Sequence, residues 1–344
     1  MWNTAPPAAC DGEKILVREP GGLTELLARL EDGQWHAGPE LARRLGVSRA
    51  AIWKRVAALR KLGLAVERDH DRGYRLGTPL RGLSLTEIRD GLETPPGWEN
   101  LKMELWPVTD STNERLLRQT DHSSPRVGLA EYQTRGRGRR GRSWQGAFGA
   151  SLLISFGIPF PIAPPDLQSL GLISGIVACR AIGRAGYPTP GLKWPNDLWY
   201  GSGKFGGILV ELSGEAEGPL WCVIGYGLNI THAAELPGAM SLESVAPDRT
   251  CNRNRLAGYL IEEEARAIQI FKEEGFGPFM EEYAQHDILY NRPVQVLEGH
   301  PVHRERNGWA RGVRADGALW FEAAPGHREA LVAGEVSLRL QRSP

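Results

Sequence analysis

A chain of 344 residues with 41% hydrophobic content is long enough for two or three domains, and burying a core in each is not in question. Its 41 basic and 41 acidic side chains cancel, which excludes a protein that coats nucleic acid everywhere, so any such contact must be local. Cys10, Cys179, Cys222 and Cys251 lie far apart with no C-x-x-C pair, which speaks against a zinc or redox site and for reduced thiols in the cytoplasm.

Residues 1–20 are a tail that lacks the basic start and apolar core of an export signal, and no apolar run approaches the ~18 residues of a membrane span. Residues 21–79 are expected to form a DNA-binding module. Leu23, Leu26, Leu27 and Leu30 make one helix face, ended by Asp32-Gly33. Pro39 opens a second short helix that stops at Gly46, and Ser48 caps a third whose inner face is Ile52, Val56 and Leu59. Helix, Gly-containing turn and helix, followed by the alternating hairpin VERDHDRGYRL, spell a winged helix-turn-helix. Ten Lys or Arg stand against three Asp or Glu between Ala42 and Arg75. The candidate DNA contacts are Ser48, Arg49, Lys54, Arg55, Arg60 and Arg72, on the third helix and wing. The competing reading is a helical protein-interaction domain with a solvated basic face.

Residues 80–99, rich in Gly and Pro around one short helix, are expected to be a linker. VTDSTNERLLR then offers Asp110, Ser111, Thr112 and Asn113 ahead of an amphipathic helix, either as ligand contacts or as a plain N-cap. TRGRGRRGRSW (134–144) contains G-x-G-x-x-G, yet the Gly-broken, then apolar SWQGAFGASLLISFGIPF after it is no amphipathic helix, so a dinucleotide fingerprint is rejected. A disordered arm is disfavoured because Trp144, Phe148 and an apolar strand follow at once. An ordered anion-binding loop remains, with glycines allowing close backbone approach and arginines giving bidentate donors.

LKWPNDLWYGSGKFGGILVEL (192–212) reads as a β-hairpin with Lys204 in its Gly-rich turn, either as a mobile cation for a transferring phosphoryl or adenylyl group or as an exposed turn lysine. WCVIGYGLNI (221–230) is an apolar strand with Gly225, Gly227 and Asn229 where a ligand or another backbone can approach. Strands and helices alternate over 100–288, and residues 289–344 hold short strands with Gly turns that suggest a small SH3-like barrel.

Taken in order, DSTN, EYQTRGRGRRGRSW, KWPNDL, GKFGGILVEL and IGYGLNI resemble the biotin-protein ligase family, and the N-terminal module makes the chain similar to its bifunctional type, which is also a biotin operon repressor. The likeness runs from about Gly21 onward, including SRAAI, NRPVQV and GEVSLR, and the ordered set is specific where single elements are not. The resemblance implies an α+β multidomain protein: a winged helix-turn-helix, a central mixed α/β, class II synthetase-like catalytic domain, and the SH3-like barrel.

It also implies a reaction in which biotin and ATP give biotinyl-5'-AMP and pyrophosphate, the biotinyl group then passing to a lysine of a biotin-carrier domain of a carboxylase. Ser111, Thr112, Asn113 and Gln133 would bind the ureido end of biotin. Gly136, Arg137, Gly138 and Arg139 would close over its carboxylate and the adenylate phosphate. Lys204 would contact the reacting groups, and Gly207 and Gly225 would line the pocket. Arg140, Arg142, Trp144, Asn196, Asp197 and Asn229 would surround the adenylate, with Mg²⁺ held mainly through ATP and no separate metal site assigned. Lys204 and Arg139 are the expected catalytic pair. Bifunctional members can have a tryptophan packing on the adenine after the last glycine-rich strand, where THAAELPGAMSLES here offers Ala239 or Met240. Operator DNA is the second implied partner, bound by a homodimer when the adenylate is in place. Two other readings stay open: a regulator that senses a ligand without catalysis, and a lipoate-type ligase.

Overall fold

The computed structural model describes residues 22–77, 80–93, 95–161, 164, 166–214, 219–231, 238–299, 304–333 and 336–340; the tail over 1–20, with Cys10, and residues 232–237 of the loop after the IGYGLNI strand lie outside them. The chain divides into two compact units, Met1–Leu80 and Arg81–Pro344.

In the smaller unit α1 (Leu23–Leu30) and α2 (Gly38–Arg44) pack on α3 (Arg49–Lys61). Ser48 Oγ accepts from Ala51 N at 3.1 Å and so caps α3. Ile52, Val56 and Leu59 of α3 are buried, as are Leu26 and Leu30 of α1 and Leu41 of α2, the two helices packed on it. The hairpin β1 (Val66–Asp69) and β2 (Gly73–Leu76) is the wing, extended by reciprocal 2.9 Å bonds between His36 and Tyr74. Gly73 is obligatory in that packing: its φ is 100°, and a Cβ would lie 2.1 Å from the His36 carbonyl.

The larger unit begins with α4 (Leu85–Asp90), β3 (Lys102–Thr109), α5 (Thr112–Leu117), β4 (Arg126–Gln133) and a two-residue pair, β5 (Gly136–Arg137) and β6 (Ser143–Trp144). It continues with β7 (Ser151–Phe160), α6 (Leu170–Arg184), β8 (Gly191–Lys193), β9 (Asp197–Tyr200), β10 (Gly203–Gly214) and β11 (Leu220–Asn229). These strands, β5 and β6 apart, form one seven-stranded sheet in the order β3-β4-β7-β11-β10-β9-β8, parallel at β3–β4 and antiparallel elsewhere. After α7 (Leu242–Val245), the long α8 (Arg253–Glu274) packs against α6, and α9 (Met280–His286) follows. The rest is a five-stranded antiparallel sheet of β12 (Pro293–Glu298), β13 (Arg304–Val313), β14 (Leu319–Ala324), β15 (His327–Leu331) and β16 (Val336–Leu340). It shares one continuous hydrophobic core with the large sheet, and Trp194 Nε1 donates to the Gly317 carbonyl at 3.0 Å.

The linker expected over 80–99 is not one: residues 81–93 and 95–99 are built into this unit. Leu83, Ile88 and Trp98 are buried in its core. The Leu83 N–H donates to Glu131 Oε1 at 2.5 Å, and Ser84 N donates to Asn254 Oδ1 at 2.9 Å. The glycines and prolines that mimicked a linker bend the chain between buried anchors.

Candidate active site

Alternation along β11 decides which face of the large sheet carries the site. Cys222, Ile224, Tyr226 and Leu228 enter the main core, while Trp221 and Val223 pack with Leu116 of α5 on the opposite face. Gly225, Gly227 and Asn229 continue that second face. A Cβ on Gly225 would lie 2.0 Å from Asn113 Oδ1, and one on Gly227 2.6 Å from the Trp144 ring. The bare backbone leaves a cleft of about 700 Å³, a size suited to a small-molecule ligand.

A buried polar network closes one end. Ser111 caps α5, and Thr112 donates through its backbone N–H and hydroxyl to Gln133 Oε1 at 2.7 and 3.0 Å. Ser155 Oγ lies 2.6 Å from both Thr112 Oγ1 and Asn113 Oδ1. Asn113 Nδ2 donates to Leu209 O at 3.1 Å and Glu211 Oε2 at 2.9 Å. Satisfied networks of this kind hold side chains in one orientation. Ser155 was invisible as a site residue because it sits inside an apolar strand.

The arginine loop is an ordered hairpin: Gly136 faces Trp144 and Arg137 faces Ser143, joined by a tight turn over Arg139–Gly141. Arg140 and Gly141 have φ of 58° and 70°, and Gly138 N donates to Arg142 O at 2.7 Å. Gly136 lies outside the cleft wall, where a Cβ would meet the Trp144 carbonyl at 2.5 Å. Every other residue expected to bind biotin or adenylate does line the cleft. Lys204 sits in β10 rather than in a turn, with a bulge directly after it.

Seven Arg or Lys line the cleft against one acid, Asp197, an anion-seeking surface. They differ in what already holds them. Arg137 is ion-paired with Glu114 and Glu211, and the Glu211 carboxylate raises its pKa. Lys204 Nζ is 2.6 Å from Asp197 Oδ1. Arg140 donates to the Gly299 carbonyl at 2.6 Å. Arg139 donates to the neutral Asn196 Oδ1 at 3.2 Å. Burial pulls the Arg139 guanidinium and the Lys193 ammonium below their ordinary values, with Asp197 partly opposing the effect in each. Asn196 is itself fixed by donating to Ile208 O at 2.6 Å.

Trp144 Nε1, Trp199 Nε1 and Asn229 Oδ1 are buried without partners and belong to residues lining this one cleft, the hydrogen bonds a ligand would complete. Ala239 lines it too, beside Lys204, and Met240 N donates to the Lys204 carbonyl at 2.8 Å. Lys193, Trp199 and, from β16, Leu338 and Arg339 are lining residues that sequence reasoning did not select. Lys193 and Lys204 are the two lysines between Lys102 and Lys272, but the apolar strand around Lys193 gives it no chemical context in the sequence. No group of three or more His, Cys, Asp or Glu that could share a metal occurs among the described residues. A single cleft carboxylate suits Mg²⁺ that arrives on phosphates.

In the smaller unit Arg49, Lys54 and Arg72 are exposed and Arg55 is half-buried, while Trp53, not selected from sequence, is 55% exposed on α3. Arg60 departs from expectation: its Nε and Nη2 donate to the Val66 carbonyl at 2.9 and 2.7 Å, tying α3 to the wing. Arg72 and Arg75 lie 4.6 and 4.7 Å from the Trp35 ring, a cation–π arrangement. No helix among the described residues is long and apolar enough to cross a membrane.

Comparison with known proteins agrees with this division. Residues 105–229 match the biotin/lipoate A/B protein ligase family and residues 23–75 an HTH domain. The chain is 35% identical to the bifunctional ligase/repressor BirA of Escherichia coli, over 92% of this chain and 96% of that protein. It is 33% identical to the Bacillus subtilis protein of the same name, over 88% and 94%. Among solved structures, the biotin protein ligase of Aquifex aeolicus in complex with biotin and ATP aligns with a TM-score of 0.56 at 25% identity, covering 70% of this chain and 98% of that one.

Proposed function

The chain belongs to the family of bifunctional ligase/repressors, and from that premise we propose that it is a biotin-protein ligase and a DNA-binding repressor of biotin synthesis. The ligase joins biotin to ATP and then to a lysine of a biotin-carrier domain. The observation that carries the reading is the cleft: seven cationic residues and one acid beside a closed polar network.

We assign ligase chemistry to residues 100–288, DNA binding to 21–79 and a supporting barrel to 289–344. Ser111, Thr112, Asn113 and Gln133 receive the ureido end of biotin, with Gly225 keeping Asn113 in place. One oxygen of the biotin carboxylate attacks the α-phosphorus of ATP, and the bond to the β-phosphate oxygen breaks to release pyrophosphate. Arg139 and Lys204 hold the two anions together and stabilise the charge that develops, so no nucleophilic side chain is needed. Asn229 and Trp144 supply the unpartnered acceptor and donor near the nucleotide, with Arg140, Arg142 and Asn196 around it. Asp197, the one cleft carboxylate, would be the protein ligand available to Mg²⁺ brought in on ATP, and the ion would supply charge neutralisation. In the second half-reaction the carrier lysine amine attacks the acyl carbon, AMP leaves, and the proton goes to solvent.

Biotinyl-5'-AMP doubles as corepressor in this reading: it engages the cations of the arginine loop and favours a homodimer whose two α3 helices meet a two-fold operator. Biotin-dependent release of pyrophosphate from ATP tests the enzyme, and the ligand-sensing alternative predicts none. Competition with lipoate separates the two ligase chemistries. Gel shifts on biotin-operon DNA test the coupling, which predicts tighter binding with biotin plus ATP than without.

A further inference from the structure

The cations of the cleft divide by partner and by exposure: Arg142 and Arg339 stand in solvent, and among the cations that no hydrogen bond or salt bridge holds only Lys193 is withdrawn from it. Arg137, Lys204 and Arg140 are each held by an anion or a carbonyl, and Arg139 reaches Asn196. Lys193 Nζ lies 4.5 Å from the centre of the Trp199 ring, and the described residues give it no hydrogen bond or salt bridge. Its strand partner is Asp197, whose carboxylate already holds Lys204. Two ammonium groups thus flank one carboxylate, and Trp199 adds a buried indole N–H without an acceptor. A desolvated cation with no counter-ion is expensive unless a ligand anion completes it.

Position across the sheet says which anion. The Thr112–Gln133–Ser155 part of the polar network lies at α5, β4 and β7, with Asn113 reaching on to Leu209 and Glu211 of β10, while Lys204 is at the start of β10, Asp197 on β9 and Lys193 on β8, the sheet edge. Strands lie about 4.8 Å apart, so the backbone of β8 that carries Lys193 runs roughly 10 Å beyond that of β10, on the side away from Thr112, Gln133 and Ser155. In-line attack on the α-phosphorus places the leaving group opposite the attacking carboxylate, which is this side. Building on the ligase reading, we infer that Lys193, seated on Trp199, grips the β- and γ-phosphates of ATP and the departing pyrophosphate.

The test uses the fact that pyrophosphate is present in only one half-reaction. Lys193→Gln should raise the KM for ATP about 10- to 100-fold, the worth of one hydrogen bond to a charged group, and raise the pyrophosphate concentration needed to reverse adenylation by the same factor. The KM for biotin should stay within about threefold, as should transfer from supplied biotinyl-5'-AMP to the carrier, and Lys193→Arg should recover most of the loss. On the unaltered protein, pyrophosphate should slow reductive methylation of Lys193, followed by peptide mass, whereas biotin alone should not. Unchanged ATP and pyrophosphate constants in Lys193→Gln, an equal fall in both half-reactions, or no protection by pyrophosphate would each overturn the assignment. Failure of the ligase reading is distinct, because the unaltered protein would then make no adenylate.

Discussion

The arginines of the winged unit and those of the cleft both come from basic stretches, yet the fold treats them in opposite ways. In the winged unit Arg49, Lys54 and Arg72 stand in solvent on α3 and the wing, while Arg60 is fastened to the Val66 carbonyl. In the cleft the cations stand around a concave surface with one acid, and Arg139 and Lys193 are partly desolvated with no carboxylate partner of their own. A basic run in a sequence therefore reports charge and not use. Use is set by whether a cation is engaged by the protein, by water, or by nothing until a ligand arrives. Removing a cation should cost stability in the first case, salt-dependent binding in the second and catalysis in the third.

The largest effect is expected where a cation is wholly engaged inside. Arg253 and Glu131 form a buried 2.7 Å pair, and Arg253 also donates to the carbonyls of Ser151 and Arg81. Arg253→Met strands the Glu131 carboxylate and should lower unfolding free energy by about 3–5 kcal/mol, measured by denaturant titration. Arg139→Ala should do the reverse, leaving Tm within a degree or two and lowering kcat/KM for adenylation about 10²–10³-fold. If Arg139→Ala lost stability instead, the contrast would fail.

Glu264 sharpens it from the acid side. This wholly buried carboxyl beneath the cleft accepts from Tyr226 and Ser174, and burial pushes its pKa up to about 7, those two hydrogen bonds opposing. The folded state therefore holds a proton that the unfolded state releases near pH 4.5, so stability falls as pH rises from about 4.5 to 7. Glu264→Gln should match the parent near pH 4.5 and exceed it by on the order of 2–3 kcal/mol at pH 8, read from paired melts. The smallest effects lie in the winged unit. Arg60→Ala should cost about 1 kcal/mol of that unit's stability, whereas Lys54→Ala should leave Tm unchanged and reduce the salt slope of DNA binding by about one.

Much of this was legible in the sequence because the signals were local. Ser48 capping an amphipathic helix, Gly46 and Gly73 at their turns, and the glycines of GYGLN each state a backbone requirement that the fold meets. What was not legible depends on distant residues. Leu83 and Trp98 looked like linker because their anchors, Glu131 and Phe156, are far along the chain. Ser155 joined the polar network only through strand pairing and burial, and Arg339 reached the cleft only because the C-terminal sheet packs there. Arg137 illustrates the same limit in reverse, since only the fold reveals Glu114 and Glu211 on either side of it.

The central claim, that the cleft makes an adenylate from biotin and passes the biotinyl group on, meets its most direct test in intact mass spectrometry of a carrier domain. Incubating the full chain with ATP, Mg²⁺, biotin and an apo carrier should add one biotinyl group to the carrier lysine, abolished by omitting ATP and sharply slowed in Lys204→Ala. A carrier whose mass stays unchanged under the complete mixture, or one labelled at full rate by Lys204→Ala, would contradict the account.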